Sequence, residues 1–301
     1  KPMAASQPSR DSFIVNRLRQ GGAVILGKLN QSDWYGVAEV RSGSTIKGHV
    51  FSPYNPQKSP GGSSTGTGVA MAAWFATVGF GSDTSGSVVI PTSRNSLVGI
   101  SATHGLVSRT GMMWSSPSQE SAGIMGRSVY DTAAVLDVIA GYDPADLATQ
   151  ASLGKMPDQA YATFLAKHGL KGARLGVLRE IWRTGPRFAE GNALAEKALA
   201  EFTAAGAILV DPVLTGLALN NPDVIMAADT SVWERVSSTN KYLAGLPPGA
   251  PIHSVEEMIA KSGDTKVKPI LIESAKIRSF DHHKGIAAAL KQQEVLRSAL
   301  I

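Results

Sequence analysis

Apolar positions near the start of the chain predict a helix followed by a strand. Phe13, Ile14 and Leu18 recur at the spacing of one helical face. Asp11 or Ser12 stands where an N-cap is needed, and Gly21–Gly22 stand where the helix can end. The continuous run Ala23–Val24–Ile25–Leu26 predicts a short buried strand. Helix then strand, joined by glycines, is a unit of a layered α/β fold. Between 41 and 68 the pattern dissolves into Ser, Gly, Pro and Asn, ending in SPGGSSTGTG. The longest apolar stretch, Val69 to Phe80, is flanked by glycines and predicts a buried helix. A second small-residue turn, GSDTSGSVVIP, follows it. Ser128 and Asp131 form an S-x-x-D capping box for a helix through Leu136 and Ile139, and 144–159 reads as a surface connection.

A second rhythm begins near Leu170. Arg174 to Leu178 is strand-like, Ala193 to Ala205 is a helix rich in Ala, Leu and Glu, and Ala207 to Val210 is a strand. If the two strands are parallel, a right-handed crossover is the default. Beyond about 215 the pattern is more broken, with LPPGAP at 246–251 marking a loop, and an amphipathic helix from about Ile286 closes the chain. That helix stops at Ile301 without a cap, and Lys1 is neither an initiator Met nor the start of a charged-then-apolar leader. The chain is therefore expected to be part of a longer polypeptide.

Composition narrows the classes. Among 301 residues, 43% are hydrophobic and 18% charged, which suits a folded chain with a sizeable core rather than disorder. No apolar run approaches the roughly 18 residues of a spanning helix, so no membrane partner is expected. The absence of cysteine excludes disulfide frameworks, Cys-ligated zinc and a thiol nucleophile, and it leaves the compartment open. The net charge of +5 is spread along the chain without a dense basic run, so nucleic acid is not an expected partner.

The chemistry concentrates in two Ser/Gly clusters around the apolar stretch: Gly61-Gly62-Ser63-Ser64-Thr65-Gly66 before it, and Gly81-Ser82-Asp83-Thr84-Ser85-Gly86-Ser87 after it. Small residues let a backbone approach a ligand closely and let consecutive amides point one way. Such amides can hold the oxyanion of a tetrahedral intermediate, beside a serine placed to attack the carbonyl. Flexible linkers share this composition, but a linker need not be tied to an apolar stretch that must pack. Neither cluster fits the phosphate-binding patterns G-x-x-x-x-G-K-[ST] or G-x-G-x-x-G.

GGSSTGTGVAMAA, GSDTSGSVVIP and LVGISATHGLVSRTG resemble, in that order, the signature region of the amidase-signature family. GGAVILGKLNQSDW before them and RSVYDTAAVLDVIAG, LKGARLGVL and NKYLAGLPPGAP after them extend the resemblance over about residues 10–300, nearest to the branch containing peptide amidases. It implies an α/β fold, a three-layer α/β/α sandwich around a mixed central β-sheet. Residues 1–301 would form one domain, with a signature core at about 10–142 and a second half at about 165–301. It further implies a Ser–cis-Ser–Lys triad in which Ser87 is the nucleophile and Ser63, joined to Gly62 by a cis peptide, is the bridging serine. The amides of Thr84, Ser85, Gly86 and Ser87 would form the oxyanion hole. A serine hydroxyl needs a base within hydrogen-bond reach, and the family's neutral lysine supplies it through the bridging hydroxyl. The expected substrate is a small-molecule or peptide amide, with no cofactor and no metal.

The family's lysine lies upstream of the GAVILGK segment, further back than this chain reaches. Lys28 is in that segment itself, Lys47 and Lys58 are expected to be surface lysines, Lys1 lacks the expected context, and no lysine is assigned. Either the chain belongs to a longer polypeptide or it is a degenerate copy without its base. Other departures are Ser85 where glycine is common, Ser101–Ala102 for a usual Lys-Pro pair, and Val89 for a frequent arginine. The last deprives Asp83 of an ion-pair partner, with Arg94 as the candidate substitute. Met112, Met113 and Trp114 either line an acyl pocket or fill the core. Two rivals stand beside this reading. One is a Ser–His–Asp esterase using Ser64 in a G-x-S-x-G match, with His104, His168, His253, His282 or His283 as base. The other is a non-catalytic relative acting as a binding or structural protein.

Overall fold

The computed structural model describes residues 2–36, 42–263, 268–276 and 282–300, with the backbone alone at 282–284. The side chains of His282 and His283 thus lie outside the described residues. The chain divides into two units, Lys1–Thr163 with Thr230–His282, and Phe164–Asp229 with His283–Ile301.

In the first unit α1 (Phe13–Gln20) is followed by a short antiparallel pair, β1 (Gly43–Ser44) and β2 (Gly48–His49). Then come α2 (Thr65–Ala72), β3 (Val78–Asp83), α3 (Val89–Arg94), β4 (Val98–Ser101), β5 (Ser121–Gly126) and α4 (Val129–Ile139). β5 is the middle strand of an antiparallel sheet ordered β3-β5-β4, with Val78 opposite Gly126 and Asp83 opposite Ser121. Every residue of β5 is buried. Alternate strand residues face opposite sides, and here each side has its own helices. Ile124 packs with Ile14 and Leu18 of α1 and with Leu136 and Ile139 of α4, whereas Met125 packs with Ala70 and Met71 of α2 and with Val88. The sheet therefore lies between two helical layers.

The second unit carries the expected strand–helix–strand: β6 (Arg174–Gly176), α5 (Pro186–Ala204) and β7 (Ile208–Val210), with β6 and β7 parallel and Arg174 opposite Ile208. α5 starts at Pro186, before the expected Ala193, because proline at the first helical turn loses no hydrogen bond. α6 (Pro222–Met226) follows in the same unit. The chain returns to the first unit for α7 (Ser231–Ala244), α8 (Val255–Lys261) and α9 (Lys268–Lys276), which bury Val236, Leu243, Val255, Met258 and Leu271 against Trp34 and Ile252. α10 (His282–Leu300) closes the second unit. No described helix is long and apolar enough to cross a membrane.

Caps and loops form as the sequence predicts: Ser12 accepts from Val15 N–H at 3.4 Å, and Ser128 accepts from Asp131 N–H at 3.0 Å. Two readings are corrected. Residues 23–26 are not a strand, and Val24 and Leu26 are 82% and 71% exposed. An apolar run becomes a strand only where a neighbour completes its ladder, and no described strand pairs with it. The stretch Val69–Phe80 is not one helix either. α2 starts at Thr65 and stops at Ala72, Trp74 takes φ 64°, and Val78 opens β3. Gly81 explains the tight return: a Cβ there would lie 2.1 Å from Ser64 Oγ, so only glycine lets the strand pass under the N-terminus of α2.

Candidate active site

The turn before α2 and the turn after β3 are fastened to each other. Ser64 N–H donates to the Ser87 carbonyl at 3.2 Å, and Ser32 N–H donates to the Ser63 carbonyl at 3.0 Å. Thr65 Oγ1 donates to the Gly61 carbonyl at 2.9 Å, and Thr67 Oγ1 ties α2 to β3 through the Phe80 carbonyl at 2.8 Å. The Gly62–Ser63 peptide is cis. Ser63 and Ser87 are both half-buried, and among the described residues neither hydroxyl is hydrogen-bonded to a lysine or histidine.

Asp83 organises the second turn. Its Oδ1 accepts from Gly86 N–H at 2.6 Å and Ser87 N–H at 2.8 Å, and its Oδ2 from Val88 N–H at 3.1 Å and Val89 N–H at 3.4 Å. These are the open amides at the start of α3, which a carboxylate is suited to satisfy. The buried acid thus needs no cation, and Arg94 does not replace the missing arginine: it reaches the Ser59 carbonyl instead. The consequence for the expected oxyanion hole is specific. Gly86, with φ 102°, and Ser87 give their amides to Asp83, while Thr84 and Ser85 are left with amides that meet no acceptor among the described residues. Ser85 adopts a negative φ, so serine fits where glycine is common.

A third segment, 115–120, supports this turn from the other side. Gln119 Nε2 donates to the Thr84 carbonyl at 3.1 Å, and Gln119 Oε1 accepts from Thr230 N–H and Oγ1, both at 2.9 Å. Glu234 of α7 accepts from Ser116 Oγ at 2.6 Å and Ser118 Oγ at 2.7 Å. Glu120 is 1% exposed, and its Oε2 accepts from the amides of Ser115 and Ser116. Burial pushes its pKa above the ordinary glutamate range, opposed by those amides and by the hydroxyls of Ser82 and Thr84 beside it. None of these residues was a sequence candidate. The only trace is the polar run SSPSQE closing on an acid where β5 begins.

The remaining expectations sort simply. Ser64 is 3% exposed and its Oγ donates to the Ser82 carbonyl at 3.3 Å, a core contact. His104 contacts the Pro117 carbonyl at 2.9 Å and Arg109 at 3.0 Å. Lys28, Lys47 and Lys58 are exposed. Met112 and Trp114 line a cavity of about 450 Å³ with Pro117, Tyr242 and Leu246, while Met112 also packs on the α1/α4 core.

Sheet, helical layers and paired serine turns together define an amidase-type α/β fold, and the chain belongs to the amidase family, whose model matches residues 2–300. It is 34% identical over 269 residues to a probable amidase of Arabidopsis thaliana, covering 86% of this chain and 49% of that protein. The native peptide amidase of Stenotrophomonas maltophilia superposes with TM-score 0.79 at 35% identity, over 97% of this chain and 59% of that one. An amidase family protein of Bacillus anthracis superposes with TM-score 0.83 at 28% identity, also over 97% and 59%. The chain thus spans about a third to a half of the length of the curated relatives it matches.

Proposed function

We propose that the protein hydrolyses a linear carboxylic amide to acid and amine or ammonia through an acyl-enzyme on Ser87. The observation that carries this reading is the bond between Ser64 N–H and the Ser87 carbonyl, which sets the Ser63 turn against the Ser87 turn. Ser87 Oγ attacks the carbonyl carbon as its proton passes to Ser63 Oγ, and the Ser63 proton passes to a base. The Thr84 and Ser85 amides donate to the oxygen that becomes negative. Collapse expels the amine, which takes up the proton, and water then attacks the ester to release the acid and restore Ser87. The base is assigned to no residue of this chain. Likeness to a peptide amidase supports a small-molecule or peptide amide as substrate.

The test is labelling with a fluorophosphonate and peptide mapping, on the 301-residue chain and on the product of its full reading frame. An adduct on Ser87 in the longer form, weak in the shorter one, is expected. No adduct on either form would favour the non-catalytic relative, and an adduct on Ser64 would restore the esterase reading.

A further inference from the structure

The second serine turn is braced by two acids of different kinds. Asp83 is saturated by four amides. Glu120 is as deeply buried but only half satisfied: Oε2 takes the Ser115 and Ser116 amides, whereas Oε1 is buried without a hydrogen bond among the described residues. Burial of that unpartnered oxygen works against the charged carboxylate and raises the pKa of Glu120 above the ordinary glutamate value. The hydroxyls it faces belong to Ser82 and Thr84, which flank Asp83 on the strand leading into the turn. The next residue along, Gln119, holds the Thr84 carbonyl. Gln119 therefore holds the carbonyl end of the peptide unit whose other end is the Ser85 amide, with Glu120 next to it in the chain and beside the Thr84 hydroxyl.

We infer that Glu120 is a positioning residue for acylation: its buried carboxyl holds segment 115–120 through the Ser115 and Ser116 amides, so that Gln119 keeps the Thr84 carbonyl, and with it the Ser85 amide that receives the oxyanion, in place. The inference rests on the acyl-enzyme reading above. Glu120 does not touch the reacting atoms in it. It holds the donors in the place the transition state requires, so that they need not reorganise as charge develops.

The measurement is the saturation kinetics of fluorophosphonate inactivation on the full-length protein, with thermal unfolding read alongside. Glu120→Ala is expected to lower the limiting inactivation rate by roughly 10- to 100-fold, short of the 10²–10³ seen when a donor is removed outright. The half-saturating probe concentration should stay within about threefold, because only the transition state uses the aligned amides. Glu120→Gln, whose carbonyl can still accept and whose amide can still donate, should recover most of the rate. If Glu120→Ala fails to fold, Gln119→Ala removes the side chain that holds the Thr84 carbonyl and should slow the limiting rate by roughly 3- to 10-fold. A folded Glu120→Ala that inactivates at the wild-type limiting rate would overturn the inference, as would an unaffected Gln119→Ala. Absence of any Ser87 adduct in the wild type would instead remove the underlying reading, so the two failures are distinguishable.

Discussion

The serine-bearing sheet of the first unit and the parallel strand pair of the second handle charge in opposite ways. Around β3 and β5, Asp83 and Glu120 are buried and answered by backbone amides whose positions are set by a turn and a helix end. Around β6 and β7, Arg179 bonds Asp211 at 2.8 Å and also reaches Glu196, all on an accessible surface, and α5 buries none of its residues. Acid bound to backbone cannot move without the fold moving, so it can hold a reactive turn. Acid bound to a long side chain at the surface is screened by water and carries little. On the proposed reading the chemistry belongs to the first region, and the contrast predicts how steeply each should respond to mutation.

The largest effects should come from the serines. Ser87→Ala is expected to abolish fluorophosphonate labelling, and Ser63→Ala to slow it by about 10²- to 10⁴-fold, the scale of lost proton transfer. Labelling of a Ser87→Ala variant at the wild-type rate would erase the distinction between the two regions. Next comes the buried pair Arg109–Asp146, in which Arg109 Nε–H donates to Oδ2 at 2.9 Å and Nη2–H to Oδ1 at 2.8 Å. Arg109→Met should cost about 3–5 kcal/mol in chemical denaturation by stranding a buried carboxylate.

The same pair sets a pH dependence. Burial alone would raise Asp146, but the Arg109 guanidinium and amide hold it below the ordinary carboxylate value. Its stabilisation is therefore present above that ordinary value and is lost as pH falls through the lower, folded one. Acid titration of unfolding should show a shallower loss in Asp146→Asn than in wild type across that window, although the variant starts less stable. Ser128→Ala should cost about 1 kcal/mol, the value of an N-cap, because the Asp131 amide loses its acceptor. Smallest of all, Arg179→Gln should leave the melting temperature within experimental scatter. A large drop there would contradict the view that surface ion pairs in the second unit are expendable.

The sequence made some of this legible for clear reasons. Caps act within one helical turn, so Ser12 and Ser128 could be read from neighbours three residues away. The strand–helix–strand at 174–210 was readable because each of its elements follows a simple local rhythm. Val69–Phe80 misled because its apolar run was carried through Gly79, whereas the glycines at 79 and 81 let β3 approach α2, a contact visible only in three dimensions. Ala23–Leu26 misled because a strand depends on its partner. The serines emerged through small-residue turns and family likeness, but the partition of their amides did not: that Asp83 claims Gly86, leaving Thr84 and Ser85, is a matter of angles. Glu120 was invisible because it acts from an element more than thirty residues away.

The most direct test of the account is to trap the intermediate itself. The full-length protein is mixed with a peptide amide, quenched in acid within one turnover, digested and analysed by mass spectrometry. The account predicts that the peptide bearing Ser87 gains the mass of the acyl group, and that the gain vanishes in Ser87→Ala. Turnover of the amide with no acyl group on Ser87, or with the acyl group on Ser64, would contradict it.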